Sequence, residues 1–288
     1  MDWVNAVVQG VLLGGLYALF ASGLSLMFGV MRFVNIAHGD FIVMAAYGAL
    51  VIVGATGLYP LWTMIAIVPG MALLGFVGQR VLLNRTLGED ILPPLLVTFG
   101  LSIIIQNVLL EVFSADSQKL QAGWLETASI PIAGGLNIGL MPLLIFVSAL
   151  IVIGGLQTFL YRTPVGRVLR ATSDDQETVR LMGADNARIF AYATAIASAV
   201  VGIAGVYMAM RTNFDPSVGP ARLLFAFEAV IIGGLGSLWG TLVGGIILGV
   251  AQAIGAQIDP GFQILAGHIA FLFVLVMRPQ GLLPRMRG

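Results

Sequence analysis

Cysteine is absent from this 288-residue chain, which excludes disulfides, thiolate nucleophiles and iron–sulfur ligation. Charge is scarce. Asp, Glu, Lys and Arg together make up 10% of the residues, against roughly 25% in ordinary soluble domains. Acidic and basic residues balance at 14 each, so no basic field favours nucleic acid. Lysine occurs once, as Lys119, and no G-x-x-x-x-G-K-[ST] loop is present to hold the phosphates of a nucleotide. Histidine occurs twice, as His38 and His268, with no HExxH motif and no G-x-S-x-G nucleophile elbow. His38 and Asp40 stand two apart in "NIAHGD", and two such groups do not make a metal or acid–base site. No catalytic residue and no metal ligand set is expected.

What the chain has instead is apolar sequence. Hydrophobic residues make up 58% and the mean hydropathy is +0.98. So few charges cannot cover the surface of a soluble fold, and the composition implies an all-α, polytopic membrane protein. A helix needs about 20 apolar residues to cross the hydrocarbon core. That length picks out spans at 4–30, 39–57, 60–83, 93–113, 140–161, 189–210, 223–236, 240–257 and 261–277. The run from Val4 to Met31 has no basic flank and is too long for a signal-peptide core, so it reads as a retained first span. The expectation is about nine crossings in a single domain, 1–288. The short seventh segment and "GGLGSLWG" (233–240) leave 223–257 open as a re-entrant or half-span hairpin. Glycine is abundant, at 37 residues. Small residues four apart, as in Gly10/Gly14, Ser198/Gly202, Gly236/Gly240/Gly244 and Gly245/Gly249, let membrane helices approach closely.

Short loops rich in Arg and Lys stay cytoplasmic. With the N-terminus outside and the C-terminus inside, eleven arginines (32, 80, 85, 162, 167, 170, 180, 188, 278, 285 and 287) face the cytoplasm. Only Lys119, Arg211 and Arg222 then fall outside. The longest external loop is 114–139. The cytoplasmic loop 162–188 is unlike the rest of the chain, with eight charged side chains between 167 and 188. "SDDQ" (173–176) fits a capping box with Ser173 as the cap and Gln176 reaching back. Asp174, Asp175 and Glu177 suit the positive end of the helix dipole. Gly183 suits the C-terminal stop. The predicted helix covers 173–182 and carries Glu177 and Arg180 on one face, three apart and able to pair. With only Val179, Leu181 and Met182 apolar, it has little to bury. It is either a solvated connector or a projecting handle for a cytoplasmic partner.

Polar residues within spans mark candidate pathway elements. Asn35, His38, Gly39 and Asp40 form a polar break after span one, held by side-chain hydrogen bonds, with Gly39 allowing a neighbour to approach. Broken helices often border the substrate route in transporters. Glu228 is either a carboxylate paired with Arg222 near the external mouth or a group lining the passage. Gln106, Asn107 and Gln252 read as interhelical hydrogen-bond donors.

"GRVLRATSDDQETVRLMGADNARIFAYATAIASAVVGIAGVY" (166–207) closely resembles the coupling loop and following span of ABC-importer permeases for branched-chain amino acids. "GVLLGGLYALFASGLSLMFGVMRFVNIAHGDFIVMAAYGA" (10–49), "IGGLGSLWG" (232–240) and "RPQGLL" (278–283) are similar to other ordered motifs of that family. The likeness runs nearly end to end. Importers more broadly carry a Glu-Ala-Ala-xxx-Gly motif. Here Glu177 and Gly183 keep its spacing, while Thr178 and Val179 replace the alanines.

The resemblance implies a permease subunit of the bacterial inner membrane. It implies a second permease, either a paralogue or another copy of this chain, two ATP-binding cassette subunits and an external substrate-binding protein. ATP and Mg would be handled by the partner ATPases, with no cofactor in this chain. Asp174, Asp175, Glu177, Arg180, Met182 and Gly183 would form the ATPase-coupling segment. The family also handles urea, small amides and small acids. The alternative is a secondary transporter or channel working without partners. That would call for paired intramembrane charges, and Glu228, His268 and Asp40 are scattered in sequence.

Overall fold

The computed structural model describes residues 2–86, 92–132 and 136–283. Arg285 and Arg287, counted in the charge asymmetry above, lie outside them. The helices are α1 (Asp2–Met31), α2 (His38–Thr56), α3 (Met64–Val81), α4 (Leu92–Phe113), α5 (Trp124–Thr127), α6 (Leu140–Arg162), α7 (Pro164–Asp174), α8 (Gln176–Leu181), α9 (Asn186–Arg211), α10 (Gly219–Gly233), α11 (Leu238–Ile258) and α12 (Gln263–Met277). Two short antiparallel strands, β1 (Ser129–Ile132) and β2 (Leu136–Gly139), fold the second half of loop 114–139 into a hairpin.

Local chemistry sets the ends of these helices. Gly57 stops α2 in the left-handed region at φ +67°. The Thr163 hydroxyl caps α7 by accepting from the Gly166 amide, with Pro164 in the first turn. Asp185 accepts from the Ala187 and Arg188 amides to start α9. Ser237 accepts from Gly240 to start α11. The last three satisfy amides that a helix N-terminus otherwise leaves without partners.

Eight helical stretches among the described residues are long and apolar enough to cross a bilayer. They are α1, α2, Pro60–Arg85 around α3, α4, α6, α9, α11 and Pro260–Met277 around α12. The protein is a multi-pass, all-α membrane protein. Among the described residues, the nine expected segments correspond to these eight stretches and one shorter helix. Helix α10 has 15 residues, about 22 Å at 1.5 Å per residue, against a core of about 30 Å. It forms one arm of a hairpin whose other arm, α11, is long and apolar enough to cross.

Helices α1 and α9 are the most buried and form the centre. Helix α12 is almost wholly peripheral, and α3, α4 and α6 are largely so. The centre is built on glycine. A Cβ on Gly14 would lie 2.5 Å from the Ile246 Cα, and one on Gly249 would lie 2.3 Å from the Gly10 carbonyl oxygen. The Gly10/Gly14 and Gly245/Gly249 pairs therefore face each other across α1 and α11 with backbones in contact, as small-residue spacing anticipates. Gly240 and Gly244 meet Gly233 and Ala229 in the same way, closing the α10–α11 hairpin.

The chain beyond α12 returns to this hairpin. Leu282 and Leu283 donate their amides to the carbonyls of Ile232 and Gly233, each at 2.9 Å. These are carbonyls in the last turn of α10, which has no intrahelical partners for them. Gly281 makes the approach possible, because a Cβ there would lie 2.4 Å from the Gly234 Cα.

Candidate functional site

The break between α1 and α2 is a re-entrant stretch of chain. Arg32 turns it at φ +59°, a region sparsely used by residues other than glycine. Phe33, Asn35 and Ala37 are then buried as the chain runs back along α1. His38 donates from Nε2 to the Phe20 carbonyl at 2.7 Å. Phe20 lies eleven residues before the end of α1, so α2 begins about 16 Å inside that end. Side chains satisfy the irregular backbone, as burial at membrane depth requires. The Asn35 Oδ1 accepts from the Ala37 amide at 3.0 Å, and the Thr98 hydroxyl accepts from the Ile36 amide at 3.2 Å.

Asp40 is fully buried and accepts from Gln106 Nε2 at 3.0 Å. It packs on Gly219, the first residue of α10, where a helix N-terminus favours negative charge. Gly39 is needed for the same approach, since a Cβ there would lie 1.9 Å from the Gly219 carbonyl oxygen. The break is thus a joint at which α1, α2, α4 and α10 meet. Gln106 bridges helices as expected. Asn107 does not, because it donates to Ile103 in its own helix.

Glu228 lies further along α10 itself, about two and a half turns from Gly219. Its expected partner, Arg222, is not the one it has. Glu228 Oε1 lies 2.5 Å from Nδ1 of His268 on α12. Arg222 belongs to the first turn of α10, six residues earlier, and faces away from that oxygen by the helical period. Tyr17 donates to Gln252 Oε1 at 2.5 Å. The Phe225 ring lies between Tyr17 and His268, with centroids 5.2 and 6.5 Å from theirs. Glu228 and Gln252 are buried, and Glu228 Oε2 and Gln252 Nε2 have no hydrogen-bond partner among the described residues. The structure therefore groups Glu228 with Tyr17, Gln252 and His268, and places Asn35, His38, Gly39 and Asp40 at the start of α2 near the opposite end of α10. Sequence reading left His268 without a role. Its only signal was that it is the one imidazole in the last apolar run.

The charged loop 162–188 forms two helices where one was expected over 173–182. Ser173 lies in the last turn of α7 and does not cap α8. Its hydroxyl donates to the Gly29 carbonyl, and Gln176, expected to reach back, donates to Val30 at 3.3 Å. The cap of α8 is Asp175, which accepts from the Glu177 and Thr178 amides at 2.9 and 3.1 Å and from the Thr178 hydroxyl at 2.5 Å. The Thr178 hydroxyl and amide hold the Asp175 carboxyl below the usual carboxylate range. Gly183 stops α8 at φ +86°. Its amide bonds the Arg180 carbonyl and that of Ala184 the Val179 carbonyl, the pairing of a Schellman cap. Glu177 and Arg180 are exposed, and no ion pair joins them among the described residues. Leu181 and Met182 are 83% and 75% exposed. Asp174 is exposed, and its carbonyl accepts from Arg32 at 3.2 Å.

On the other side of the molecule, Lys119 meets Glu126 at 2.7 Å. Glu126 also accepts from the Ala122 amide at 2.6 Å, and the Lys119 bond lowers its carboxyl from the usual value.

Comparison with known proteins places this arrangement. Residues 6–277 match the family model described as "Branched-chain amino acid transport system / permease component". The chain is 30% identical to the high-affinity branched-chain amino acid transport system permease protein BraD of Pseudomonas aeruginosa, covering 98% of this chain and 96% of BraD. It is 27% identical to LivH of Escherichia coli, with the same coverage. It is also 27% identical to LivM of Escherichia coli, covering 94% of this chain and 68% of LivM. In fold it is similar to a chain of PsaBC from Streptococcus pneumoniae in complex with Fab, with a TM-score of 0.50 and 14% identity over 94% of this chain and 91% of that one. A single family model spanning all eight candidate crossings shows that the chain belongs to the permease-component family of branched-chain amino acid transport systems.

Proposed function

We propose that this chain is the membrane-spanning subunit of an ATP-driven importer for branched-chain amino acids or a related small polar solute. It would act by alternating access in a bacterial inner membrane, with its N-terminus outside and its C-terminus in the cytoplasm. The observation that carries the reading is α8. It is a short helix capped at both ends, with Glu177, Arg180, Leu181 and Met182 all turned outward. Exposed Leu and Met beside unpaired charges suit docking into a partner better than contact with water. Asp174, Asp175, Glu177, Arg180, Met182 and Gly183 form the coupling segment for an ATP-binding cassette subunit. That subunit, present in two copies, handles ATP and Mg.

Similarity to both LivH and LivM supports pairing with a second permease, either a paralogue or another copy of this chain. A substrate-binding protein delivers the solute from outside. Asn35, His38, Gly39, Asp40 and Glu228 are assigned to the passage. Their part is to offer polar contacts in an apolar core where a solute would otherwise meet only hydrocarbon.

The test is reconstitution with the cognate ATPases and binding protein. ATP-dependent uptake of leucine, isoleucine or valine by that complex is the expected result. Ion-driven uptake by this chain alone would overturn the reading in favour of a secondary transporter. Single cysteines at Trp124 and Leu181, in a chain with none of its own, check the orientation. Trp124 should label from outside and Leu181 from the cytoplasm.

A further inference from the structure

The loop that carries α8 is joined to α1 by bonds that cross more than 140 residues of sequence. At the end of α1, the Gly29 and Val30 carbonyls lack intrahelical partners, as the last carbonyls of any helix do. The Ser173 hydroxyl fills the first and the Gln176 amide, at 3.3 Å, the second. At the end of α7 the same need is met in return. One guanidinium nitrogen of Arg32, Nη2, donates to the Ser173 and Asp174 carbonyls at 3.0 and 3.2 Å. Each helix end therefore caps the other.

Arg32 is also the residue that turns the chain into the break, at φ +59°. Non-glycine residues in such conformations persist where the surroundings over-determine them, and they concentrate at functional sites. Past Arg32 the chain is largely buried, and the Ile36 amide, His38 and Asp40 tie it to α4, to α1, and to α4 and α10. A displacement of Arg32 cannot be absorbed there by a slack loop. Helices α6 and α9 continue the backbone of the charged loop on either side, so they follow it by covalent connection. Helix α1 has no such connection, and the reciprocal cap is what ties its end to the loop. A shallow, half-open cleft lined by Ser25, Gly29, Leu160, Arg170 and Gly236 lies beside the joint.

We propose that Arg32 is the positioning residue through which movement of the cytoplasmic loop steers the α1–α2 break. It touches no solute. It acts by holding the ends of α7 and α1 together while it fixes the direction in which residues 33–40 enter the membrane. This inference rests on the importer reading above.

The experiment compares reconstituted complexes carrying the wild-type permease, Arg32→Gly, Arg32→Lys and the double variant Ser173→Ala/Gln176→Ala. Assembly with the ATPase, binding-protein-stimulated ATP hydrolysis and solute imported per ATP are each measured. Glycine accepts the positive φ and removes only the side-chain donor, while lysine restores a donor. We expect Arg32→Gly and the double variant to assemble and hydrolyse ATP, with import per ATP lower by about tenfold, and Arg32→Lys to recover most of it. A merely structural residue would lose assembly and hydrolysis together and would leave the ratio alone.

Import per ATP within about twofold of wild type in Arg32→Gly overturns the proposal. If that variant is lost from the membrane, the same result in the double variant overturns it. A wild-type complex that fails to import overturns the importer reading and this inference with it. A wild-type complex that imports, beside variants that match it, removes only the inference.

Discussion

Gly39→Ala is the sharpest test of the joint between α2 and α10. A Cβ at Gly39 would fall 1.9 Å from the Gly219 carbonyl oxygen, 2.8 Å from the Gly219 carbonyl carbon and 2.8 Å from the Leu223 amide nitrogen. All three are backbone atoms, so no side-chain rotamer can clear the space. Either α2 or α10 must move by about 1 Å or more to restore ordinary contact. Overpacking of this kind costs about 1–3 kcal/mol. The movement would also pull Asp40 off the N-terminus of α10, since Asp40 packs against that same Gly219.

The control lies in the same helix. A Cβ on Gly54 would meet nothing within 4 Å, and alanine in a helix interior is more favourable than glycine by about 0.5–1 kcal/mol. Thermal unfolding in detergent should therefore shift in opposite directions, down for Gly39→Ala and up for Gly54→Ala. Uptake by the reconstituted complex should fall only in the first. Equal melting temperatures and equal uptake for the two variants would show that α2 and α10 do not meet as described.

Three further outcomes are expected. Glu228→Leu strands His268 without its hydrogen-bond partner, and losing that bond should cost about 1–3 kcal/mol. Adding His268→Phe should recover much of that loss, and strictly additive effects in a double-mutant cycle would show that the pair is uncoupled. Gly183→Val forces a β-branched residue into the left-handed region at a cost of about 1–2 kcal/mol. The permease should still insert, but ATPase attachment or its control by substrate should weaken; unchanged values for both would make α8 a passive connector. Finally, the folded-state lowering of the Glu126 carboxyl means that the Lys119–Glu126 link contributes above the unfolded carboxylate value. That contribution is lost as pH falls through the lower folded value. Protection of the Ala122 amide against hydrogen exchange, taken relative to the intrinsic rate at each pH, should fall only in that acidic range, and a fall between neutral and mildly acidic pH would contradict the assignment.

The spans were legible because length and apolar content are local properties. Each predicted segment falls within a few residues of a helix, and the glycine pairs of α1 and α11 found each other as their spacing implied. What failed was chemistry that depends on a distant partner. Ser173 and Asp175 both suit an N-cap, and nothing nearby decides between them. The end of α1 decides, because the Gly29 carbonyl takes the Ser173 hydroxyl and leaves the cap to Asp175. Glu228 offers the same lesson. Arg222 was close in sequence, yet the helical period turned it away, and the partner came from 40 residues on in α12. Helix α10 reads as short in sequence, and the helix lengths, 15 residues in α10 and 21 in α11, show that one arm of the hairpin is a half-span and the other is long enough to cross.

The cap that residues 281–283 place on α10 has a consequence for biosynthesis. Translation delivers α10 long before it delivers Leu282 and Leu283. Throughout that interval the Ile232 and Gly233 carbonyls lack their final donors, in a helix too short to reach across the bilayer. The hairpin can only be provisional while the ribosome is still making α12, and its closure is among the last events of assembly. A chain that stalls before Gly281 would hold every candidate span among the described residues and yet lack the donors that finish α10.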